Sequence, residues 1–398
     1  PPMLVSDLPT PCLLVERARL DANLERMQAR ATANRAVLRP HTKTHKCLAI
    51  ARHQHGLGAR GVTVAKPGEA EVFVADGFGD VRLAYTVTGD DKHARLARLM
   101  DRARVSFCVD TAEGARAASA VYATHDRRAE VLIEIDVGYG RCGVRWDDPD
   151  LPAFARMVAG LPGLRLVGLL THAGHAYHGP REGETKAEAL RRVMADERDQ
   201  MLEAAVRLHD AGIPGVETGT FPDGTPRFEI SIGSTPTMSV FENAERDGFT
   251  VTEIRPGNYV FFDAMQVGLG SATLGACALT VLTTVISRHR DRGGQERLFL
   301  DAGKKILTSD VGRFTDGHGV ILYNPAEMVP HPHARVTGLS EEHGWVQVRG
   351  GAALAVGDRV RVVPNHACVS VNTQDRLYLV DGDEVVHDWR VDARGRVT

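Results

Sequence analysis

The sequence predicts an α/β protein, a (β/α)8 barrel followed by an all-β C-terminal domain. Over the first two-thirds of the 398 residues, short apolar runs alternate eight times with stretches of helical periodicity. Near residue 265 the long helical patterns end, and β-rich runs separated by Gly, Pro and Asp take over. Eight βα units in about 250 residues match the count and length of a closed barrel. A doubly wound open sheet is the alternative that the same alternation allows.

The apolar runs give the predicted strands in order. Those of the barrel are 36–38, 61–65, 81–85, 104–109, 130–137, 164–171, 229–232 and 251–254. Helical periodicity is clearest at 68–75, 112–122, 151–159 and 186–210. The later strands are predicted at 278–287, 297–300, 334–337, 345–348, 359–363, 376–380 and 384–391. The barrel should therefore span 16–264 and the β domain 265–398, with one early run at 12–15 outside the barrel.

Composition excludes several classes of protein. With 48 basic and 51 acidic residues, the net charge of -3 gives no reason to expect nucleic acid or an anionic membrane as a partner. No apolar run approaches the ~18 residues of a membrane helix, and no signal peptide is visible. The six cysteines form no C-x-x-C pair, which indicates free thiols in a reducing compartment. A cytoplasmic protein is expected.

Polar and reactive residues follow five of the eight predicted barrel strands. They occupy 39–46, 138–143, 172–178, 233–237 and 255–259. In a barrel, the functional groups gather at the C-terminal ends of the strands, so these segments should share one site. Gly233, Ser234 and Thr235, together with Gly257 and Asn258, suit a phosphate, because exposed backbone N–H groups at such turns bind anions. The alternative is that both segments are ordinary Gly-containing turns.

A lysine opposite a phosphate site suggests pyridoxal phosphate, which binds an amine as a Schiff base. Only seven of the 48 basic residues are lysines, so the surviving lysines are candidates for work that arginine cannot do. Lys43 and Lys46 both follow the first predicted strand, and the residues themselves do not choose between them. The alternative for either is a solvated charge.

His366 and Cys368 form a second candidate site in the β domain. On an extended segment their side chains would share one face, and imidazole with thiolate suits a zinc-like metal. Two ligands leave positions open for water or substrate, as a catalytic metal requires. The alternative is a buried thiol near a surface histidine.

Five motifs, taken in order, resemble one family. They are Arg39 to Lys46, Gly233 to Thr237, Arg255 to Asp263, Leu300 to Lys305 and Pro364 to Cys368. They resemble the fold-type III pyridoxal-phosphate enzymes of the D-threonine aldolase and D-serine dehydratase group, which share the alanine racemase fold. The resemblance runs from about Thr10 to Asp381. It implies that the early run at 12–15 packs with the β domain.

The resemblance also implies roles for single residues. Lys43 would be the Schiff-base lysine, and His366 would act with Cys368 as a metal ligand in catalysis. The residues that would bind the cofactor are Arg141, His172, Tyr177, Gly233, Ser234, Thr235, Arg255, Gly257, Asn258 and Tyr259. The partner of the cofactor's ring nitrogen stays open between Tyr177 and Arg255.

The motifs are less specific for the reaction than for the family. A D-3-hydroxy amino acid would be the substrate, with pyridoxal phosphate and zinc, manganese or magnesium as cofactors, in a homodimer. Residues 263–270 and 277–281 look like the low-specificity D-threonine aldolases, which favours cleavage to glycine and acetaldehyde. The Cys368 thiolate favours zinc and a D-serine dehydratase, and a 3-hydroxyaspartate aldolase or dehydratase also stays open. A racemase is disfavoured, because no motif supplies its second base.

Overall fold

The structure is a computed structural model that describes residues 2–350 and 353–398. The chain divides into two units. The barrel unit consists of Met27–Lys43, Ala51–Gly257 and Arg396–Thr398. The β unit consists of the N-terminal segment up to Arg26, Thr44–Ile50 and Asn258–Gly395.

Strand β1 (Cys12–Glu16) and helix α1 (Arg17–Ala33) come first in the chain. The strands of the barrel unit are β2 (Val37–Leu38), β3 (Val62–Val64), β4 (Asp80–Thr86), β5 (Arg104–Val109), β6 (Ala129–Asp136), β7 (Val144–Arg145), β8 (Leu164–Thr171), β9 (Glu229–Ile232), β10 (Glu245–Arg246), β11 (Phe249–Thr250) and β12 (Glu253–Ile254). The helices between them are α2 (Leu48–Gly56), α3 (Pro67–Ala75), α4 (Asp90–Leu99), α5 (Ala112–Thr124), α6 (Leu151–Gly160), α7 (Lys186–Asp210) and α8 (Thr235–Met238).

The barrel unit is built on one parallel sheet in the order β2-β12-β9-β8-β6-β5-β4-β3, with β7 beside β6. A parallel bridge between His41 and Thr63 joins the two ends of this order, so the sheet returns on itself. Each of the eight predicted barrel runs overlaps one of these strands, which confirms the predicted fold class. Val131, Ile133 and Leu132 alternate between the two faces of β6 and are all buried, as expected where helices cover a parallel sheet.

The β unit contains a mixed sheet in which β1 takes part. Its later strands are β13 (Leu279–Arg290), β14 (Glu296–Leu300), β15 (Val320–Asn324), β16 (Val329–Pro330), β17 (Ala334–Leu339), β18 (Gly344–Val348), β19 (Arg359–Val363), β20 (Arg376–Asp381) and β21 (Glu384–Arg390). Its short helices are α9 (Ala264–Leu269), α10 (Lys304–Leu307) and α11 (Ala367–Asn372). Strand β1 pairs antiparallel with β13 and parallel with β20, so the run at 12–15 lies in this sheet.

The prediction that His366 and Cys368 share an extended segment is wrong. His366 has an extended backbone, but Cys368 lies in the first turn of helix α11. The helix begins here because the N–H of Ala367 donates to Asp263 Oδ2 at 2.9 Å, across 104 positions of sequence. Local sequence does not reveal a cap from so far away.

Within the described residues there are also five 3-10 turns, at Val5–Asp7, Thr42–Thr44, Gly174–His178, Asn258–Val260 and Leu274–Ala276. None of the helices in the described ranges is both long and apolar enough to cross a membrane.

Candidate functional site

Lys43 lies on the 3-10 turn that follows β2, and its side chain is exposed between buried Thr42 and Thr44. Lys46 differs in its environment. It is 5% exposed, and its Nζ donates to Asn372 Oδ1 at 2.8 Å within the β unit. The structure thus separates two lysines that sequence reasoning left equivalent, since a cofactor aldehyde needs an accessible amine.

Several basic side chains of the barrel unit act on one another. We call this group, which consists of His41, Lys43, Arg141, His172 and Arg255, the cation cluster. Burial holds the pKa of His41 well below its ordinary value, and the charges of Lys43 and Arg255 add to this effect. Burial and the charges of Lys43 and Arg141 lower the pKa of His172 to about 3. Both histidines are therefore neutral near pH 7. Neutral imidazoles beside a lysine can accept or relay protons.

Arg255 follows β12 and is buried. Its guanidinium donates to Ser231 Oγ and to the carbonyl oxygen of Thr171, while its Nε has no hydrogen-bond partner among the described residues. Burial lowers the pKa of Arg255 to about 10, so the group stays charged. A buried N–H without a partner is the kind of donor that a ligand acceptor satisfies.

Arg141 and Tyr177 lie in the segments that follow β6 and β8. Arg141 lies 3.6 Å from Glu134, and burial raises the pKa of that carboxyl while Arg141 lowers it. The Arg141 guanidinium also lies 5.7 Å from the centre of the Tyr139 ring. Tyr177 is partly buried in the 3-10 turn after β8. Both side chains are accessible enough to contact a ligand.

The segment Gly233–Thr237, which we call the phosphate loop, follows β9. Gly233 has a φ of +140°, and a Cβ there would lie 2.8 Å from the backbone nitrogen of Arg255, so only glycine fits. His172 Nδ1 lies 3.0 Å from the carbonyl oxygen of Gly233. Ser234 and Thr235 are buried, and Ser234 begins helix α8 as its N-cap. The predicted Gly-Ser-Thr turn therefore lies beside one residue of the cation cluster.

Sequence reasoning missed Glu197 of helix α7. This side chain is fully buried and accepts hydrogen bonds from the Gly233 N–H at 2.9 Å and from the Thr237 hydroxyl at 2.8 Å. A signal for it was present in the sequence. Met194 and Met201, three residues before and four after it, are both buried on the same helix face, so an acid there stands in an apolar stripe.

The residues of the barrel unit fit pyridoxal phosphate. In the cation cluster, the charges of Lys43, Arg141 and Arg255 disfavour protonation of the two histidines. An anionic phosphate and a phenolic oxygen would relieve that repulsion, and the unpartnered Arg255 Nε would meet an acceptor. Lys43 offers the amine.

His366 and Cys368 interact directly in the β unit. Burial opposes the charged imidazole, but the hydrogen bond to Cys368 and the negative charges of Cys368 and Asp263 raise the pKa of His366 to about 10. Burial likewise opposes the thiolate, but His366 and Thr44 hold the pKa of Cys368 below its ordinary value. Thr44 Oγ1 lies 3.3 Å from the sulfur. The thiolate form that a metal requires is therefore favoured.

Asp310 is the second residue that sequence reasoning missed. Its Oδ2 lies 2.6 Å from Nδ1 of His366, which leaves Nε2 of that ring for a ligand. Asn365 is buried and donates to the carbonyl oxygens of Asp310 and Gly317, so it fixes the loop that carries Asp310. The motif Pro364 to Cys368 pointed to the metal ligands but not to a carboxylate 56 positions earlier.

The donor set of the β unit fits one divalent metal with open positions. Imidazole and thiolate suit zinc, and no group of three or more His, Cys, Asp or Glu within residues 2–350 and 353–398 is arranged to hold a metal ion. Two protein ligands leave the remaining positions to water or substrate.

The predicted cofactor residues from 257 to 259 fall at the division between the two units. Gly257 ends a segment of the barrel unit, and Asn258 begins one of the β unit. Asn258 donates to Asp263 Oδ2 at 2.6 Å and lies 3.6 Å from Cys368 Sγ, while its Oδ1 has no partner among the described residues. Tyr259 is fully buried. The side chain of Asn258 thus lies next to Asp263 and Cys368.

Two family models match the chain. Residues 15–264 match "Alanine racemase, N-terminal domain", and residues 278–380 match "Putative serine dehydratase domain". The first match lies largely in the barrel unit and the second in the β unit.

Similar proteins cover the whole chain. D-threonine aldolase from Arthrobacter sp is 34% identical over 97% of this chain and 93% of its own length. D-threo-3-hydroxyaspartate dehydratase from Delftia sp. (strain HT23) is 34% identical over 96% of this chain and 97% of its own. The crystal structure of D-threonine aldolase from Filomicrobium marinum matches with a TM-score of 0.82 and 29% identity, covering 100% of this chain and 99% of that one. The chain belongs to the fold-type III pyridoxal-phosphate family that includes the D-threonine aldolases and the D-threo-3-hydroxyaspartate dehydratases.

Proposed function

We propose that this protein is a pyridoxal-phosphate- and divalent-metal-dependent lyase that cleaves D-3-hydroxy amino acids, with D-threonine giving glycine and acetaldehyde. The observation that carries the proposal is the accessible Lys43 beside two neutral histidines and a buried arginine with an unpartnered N–H. The similarity of residues 263–270 and 277–281 to D-threonine aldolases favours carbon–carbon cleavage.

The residues of the barrel unit would hold the cofactor and move protons. Lys43 would bind the cofactor aldehyde through its amine, and the phosphate loop would bind the phosphate. Arg255 would donate from Nε to the ring nitrogen and keep that nitrogen unprotonated, because a guanidinium has no acceptor. His172, with its lowered pKa, would stay neutral beside the ring.

Two residues of the β unit would hold the metal. Nε2 of His366 and the thiolate of Cys368 would be its ligands, and Asp310 would orient the imidazole through Nδ1. When bound, pyridoxal phosphate withdraws electrons from Cα of the substrate, and the metal ion makes the β-hydroxyl more acidic.

For cleavage, a base removes the β-hydroxyl proton while the Cα–Cβ bond breaks, the aldehyde leaves, and Cα takes up a proton. The neutral imidazoles of His41 and His172 are the candidate bases of the barrel unit. In the dehydratase, which is the second candidate function, Lys43 would instead remove the Cα proton and the β-hydroxyl would leave. The thiolate ligand supports this second candidate, since it favours zinc.

A product assay separates the two reactions. The protein, supplied with pyridoxal phosphate and either zinc or manganese, receives D-threonine, D-serine or D-threo-3-hydroxyaspartate. Glycine and acetaldehyde from D-threonine are the expected products. Pyruvate and ammonia from D-serine would establish the dehydratase. The absence of any product from all three substrates, with the cofactor demonstrably bound, would overturn the lyase proposal.

A further inference from the structure

Glu197 is a buried carboxylate without an ion-pair partner among the described residues. It lies on the long helix α7, and its side chain has no exposed surface. Burial raises its pKa to about 7, while hydrogen bonds from Gly233 and Thr237 and the charge of Arg255 act in the opposite direction. A buried carboxyl without a full counter-charge is unfavourable for folding, so its presence indicates a role other than stability.

Two side-chain hydrogen bonds of Glu197 reach the phosphate loop. Oε1 accepts from the Gly233 N–H at 2.9 Å, and Oε2 accepts from the Thr237 hydroxyl at 2.8 Å. Because the Thr237 proton is used in this way, its oxygen accepts from the Ser234 hydroxyl at 3.0 Å. One carboxylate therefore fixes the first and last residues of the loop, and through Thr237 it also orients Ser234.

The same carboxylate reaches a second strand end. The backbone of Ala173, next to His172, also hydrogen-bonds to Glu197. His172 in turn contacts the carbonyl oxygen of Gly233 at 3.0 Å. Glu197 thus joins the loops that follow β8 and β9.

We propose that Glu197 is a positioning residue that holds the phosphate loop in the conformation that binds the phosphate of the cofactor. The inference rests on the proposed function, since it takes pyridoxal phosphate as the ligand. It assigns to Glu197 no contact with the cofactor itself. Loss of the carboxylate would leave the Gly233 N–H and the Thr237 hydroxyl without their acceptor and free the loop to adopt other conformations.

The test compares two ligands that differ only in the phosphate. Equilibrium affinities for pyridoxal phosphate and for pyridoxal are measured by absorbance on cofactor-free protein. The variants are Glu197→Met, Glu197→Gln, Thr237→Val and the double variant Glu197→Met/Thr237→Val. Glu203→Met is the matched control, because Glu203 lies on the same helix but pairs with Arg246 at the surface. The melting temperature of each cofactor-free variant is recorded in parallel.

We expect Glu197→Met to weaken pyridoxal phosphate binding on the order of tenfold or more, with pyridoxal binding unchanged. Thr237→Val should give a smaller loss of the same kind, and the two effects should not add in the double variant. Glu197→Gln should recover most of the affinity, because its amide oxygen can still accept from Gly233. Glu203→Met should bind both ligands as the wild type does.

Three outcomes would overturn the inference. Equal losses of both affinities would mean that Glu197 serves folding alone, and wild-type affinities for both ligands in Glu197→Met would mean that Glu197 does not position the loop. If Glu197→Met does not fold, Thr237→Val decides by the same ratio. A wild-type protein that binds no pyridoxal phosphate would refute the proposed function, and this inference with it.

Discussion

The charged side chains at the two ends of the barrel sheet interact differently. At the N-terminal end, three arginines pair with four carboxylates. We call this group the ion network, and its members are Arg39, Arg82, Arg104, Asp80, Glu130, Glu229 and Glu253. Arg39 Nε lies 2.6 Å from one oxygen of Glu253, and Arg82 Nη1 lies 2.7 Å from the other. At the C-terminal end, the contact of the cation cluster with Glu134 is longer, since Arg141 lies 3.6 Å from that carboxylate.

The difference appears in the ionisation of each group. Burial alone would raise the pKa of Glu253, but Arg39 and Arg82 hold it well below its ordinary range. In the cation cluster, burial and like charges lower the pKa values of both histidines. Close ion pairs thus hold the charged groups at the N-terminal end, whereas basic groups at the C-terminal end lower one another's pKa values.

Cavity volume alone does not identify the functional end. A cavity of about 420 Å³ opens at the N-terminal end, where its walls include Arg39, Arg104, Glu130, Glu229 and Glu253. These side chains already have ionic partners. The chemistry of the walls, rather than the space between them, separates the two ends.

The largest expected effect comes from the C-terminal end. Lys43→Arg keeps the positive charge but removes the reactive amine, so activity should fall on the order of 10³-fold or more. Reduction with borohydride, followed by mass spectrometry, should find a pyridoxyl group on Lys43 in the wild type and none in this variant. Lys46→Arg is the matched control and should keep both the label and the yellow colour. A label that persists in Lys43→Arg and disappears in Lys46→Arg would reverse the two roles.

A second substitution addresses the ion network. Glu253→Gln leaves Arg39 and Arg82 buried with less counter-charge, and we expect the free energy of unfolding to fall by about 3–5 kcal/mol. Urea unfolding of the cofactor-free protein measures this change. The comparison predicts that the folded variant, in the absence of urea, binds pyridoxal phosphate with the affinity of the wild type. A loss of cofactor affinity without a loss of stability would break the division between the two ends.

A substitution of Asp310 in the β unit tests whether every contact between a carboxylate and a basic side chain stabilises the fold. We expect Asp310→Asn to weaken zinc binding about 10–100-fold, because the imidazole of His366 loses the partner that orients it. Chelator competition measures the zinc affinity. Asp316→Asn, which alters a surface contact with Arg335, is the control. If Asp310→Asn lowers only the free energy of unfolding, Asp310 belongs with the stabilising contacts of the ion network.

The last prediction concerns the stability of the folded protein at acidic pH. The pKa of His172 is lowered in the folded protein, so the unfolded chain binds more protons below its ordinary pKa of about 6.5, and stability falls as the pH decreases from there towards 3. Stability from the low pKa of Glu253 is present above the ordinary pKa of about 4.3 and is lost only as the pH falls below that value. Of these two groups, only His172 should therefore change the stability between pH 7.5 and 5.

His172→Gln should remove about 2 kcal/mol of the stability difference between pH 7.5 and pH 5. Urea unfolding of cofactor-free protein at the two pH values measures it. An identical pH dependence in the wild type and the variant would show that His172 does not titrate differently in the folded state.

Much of the fold could be predicted because its signals are local. Each barrel strand is a short apolar run bounded by turn residues, and the reactive residues lie directly after those runs, so strand positions and strand ends could be predicted together. The phosphate loop was predictable for the same reason, since Gly233, Ser234 and Thr235 are consecutive. Helix α11 was not, because its N-terminal cap comes from Asp263.

The sequence by itself determined the barrel, the β-rich C-terminal region, the order of the motifs and the family, because periodicity and consecutive residues carry that information. Only the tertiary structure decided that Lys46 is buried against Asn372 while Lys43 is exposed. It also decided that Asp310 contacts His366 and that Glu197 holds the phosphate loop. Burial and hydrogen bonding between residues far apart in the chain depend on how the elements pack, and spacing along the sequence does not encode those distances.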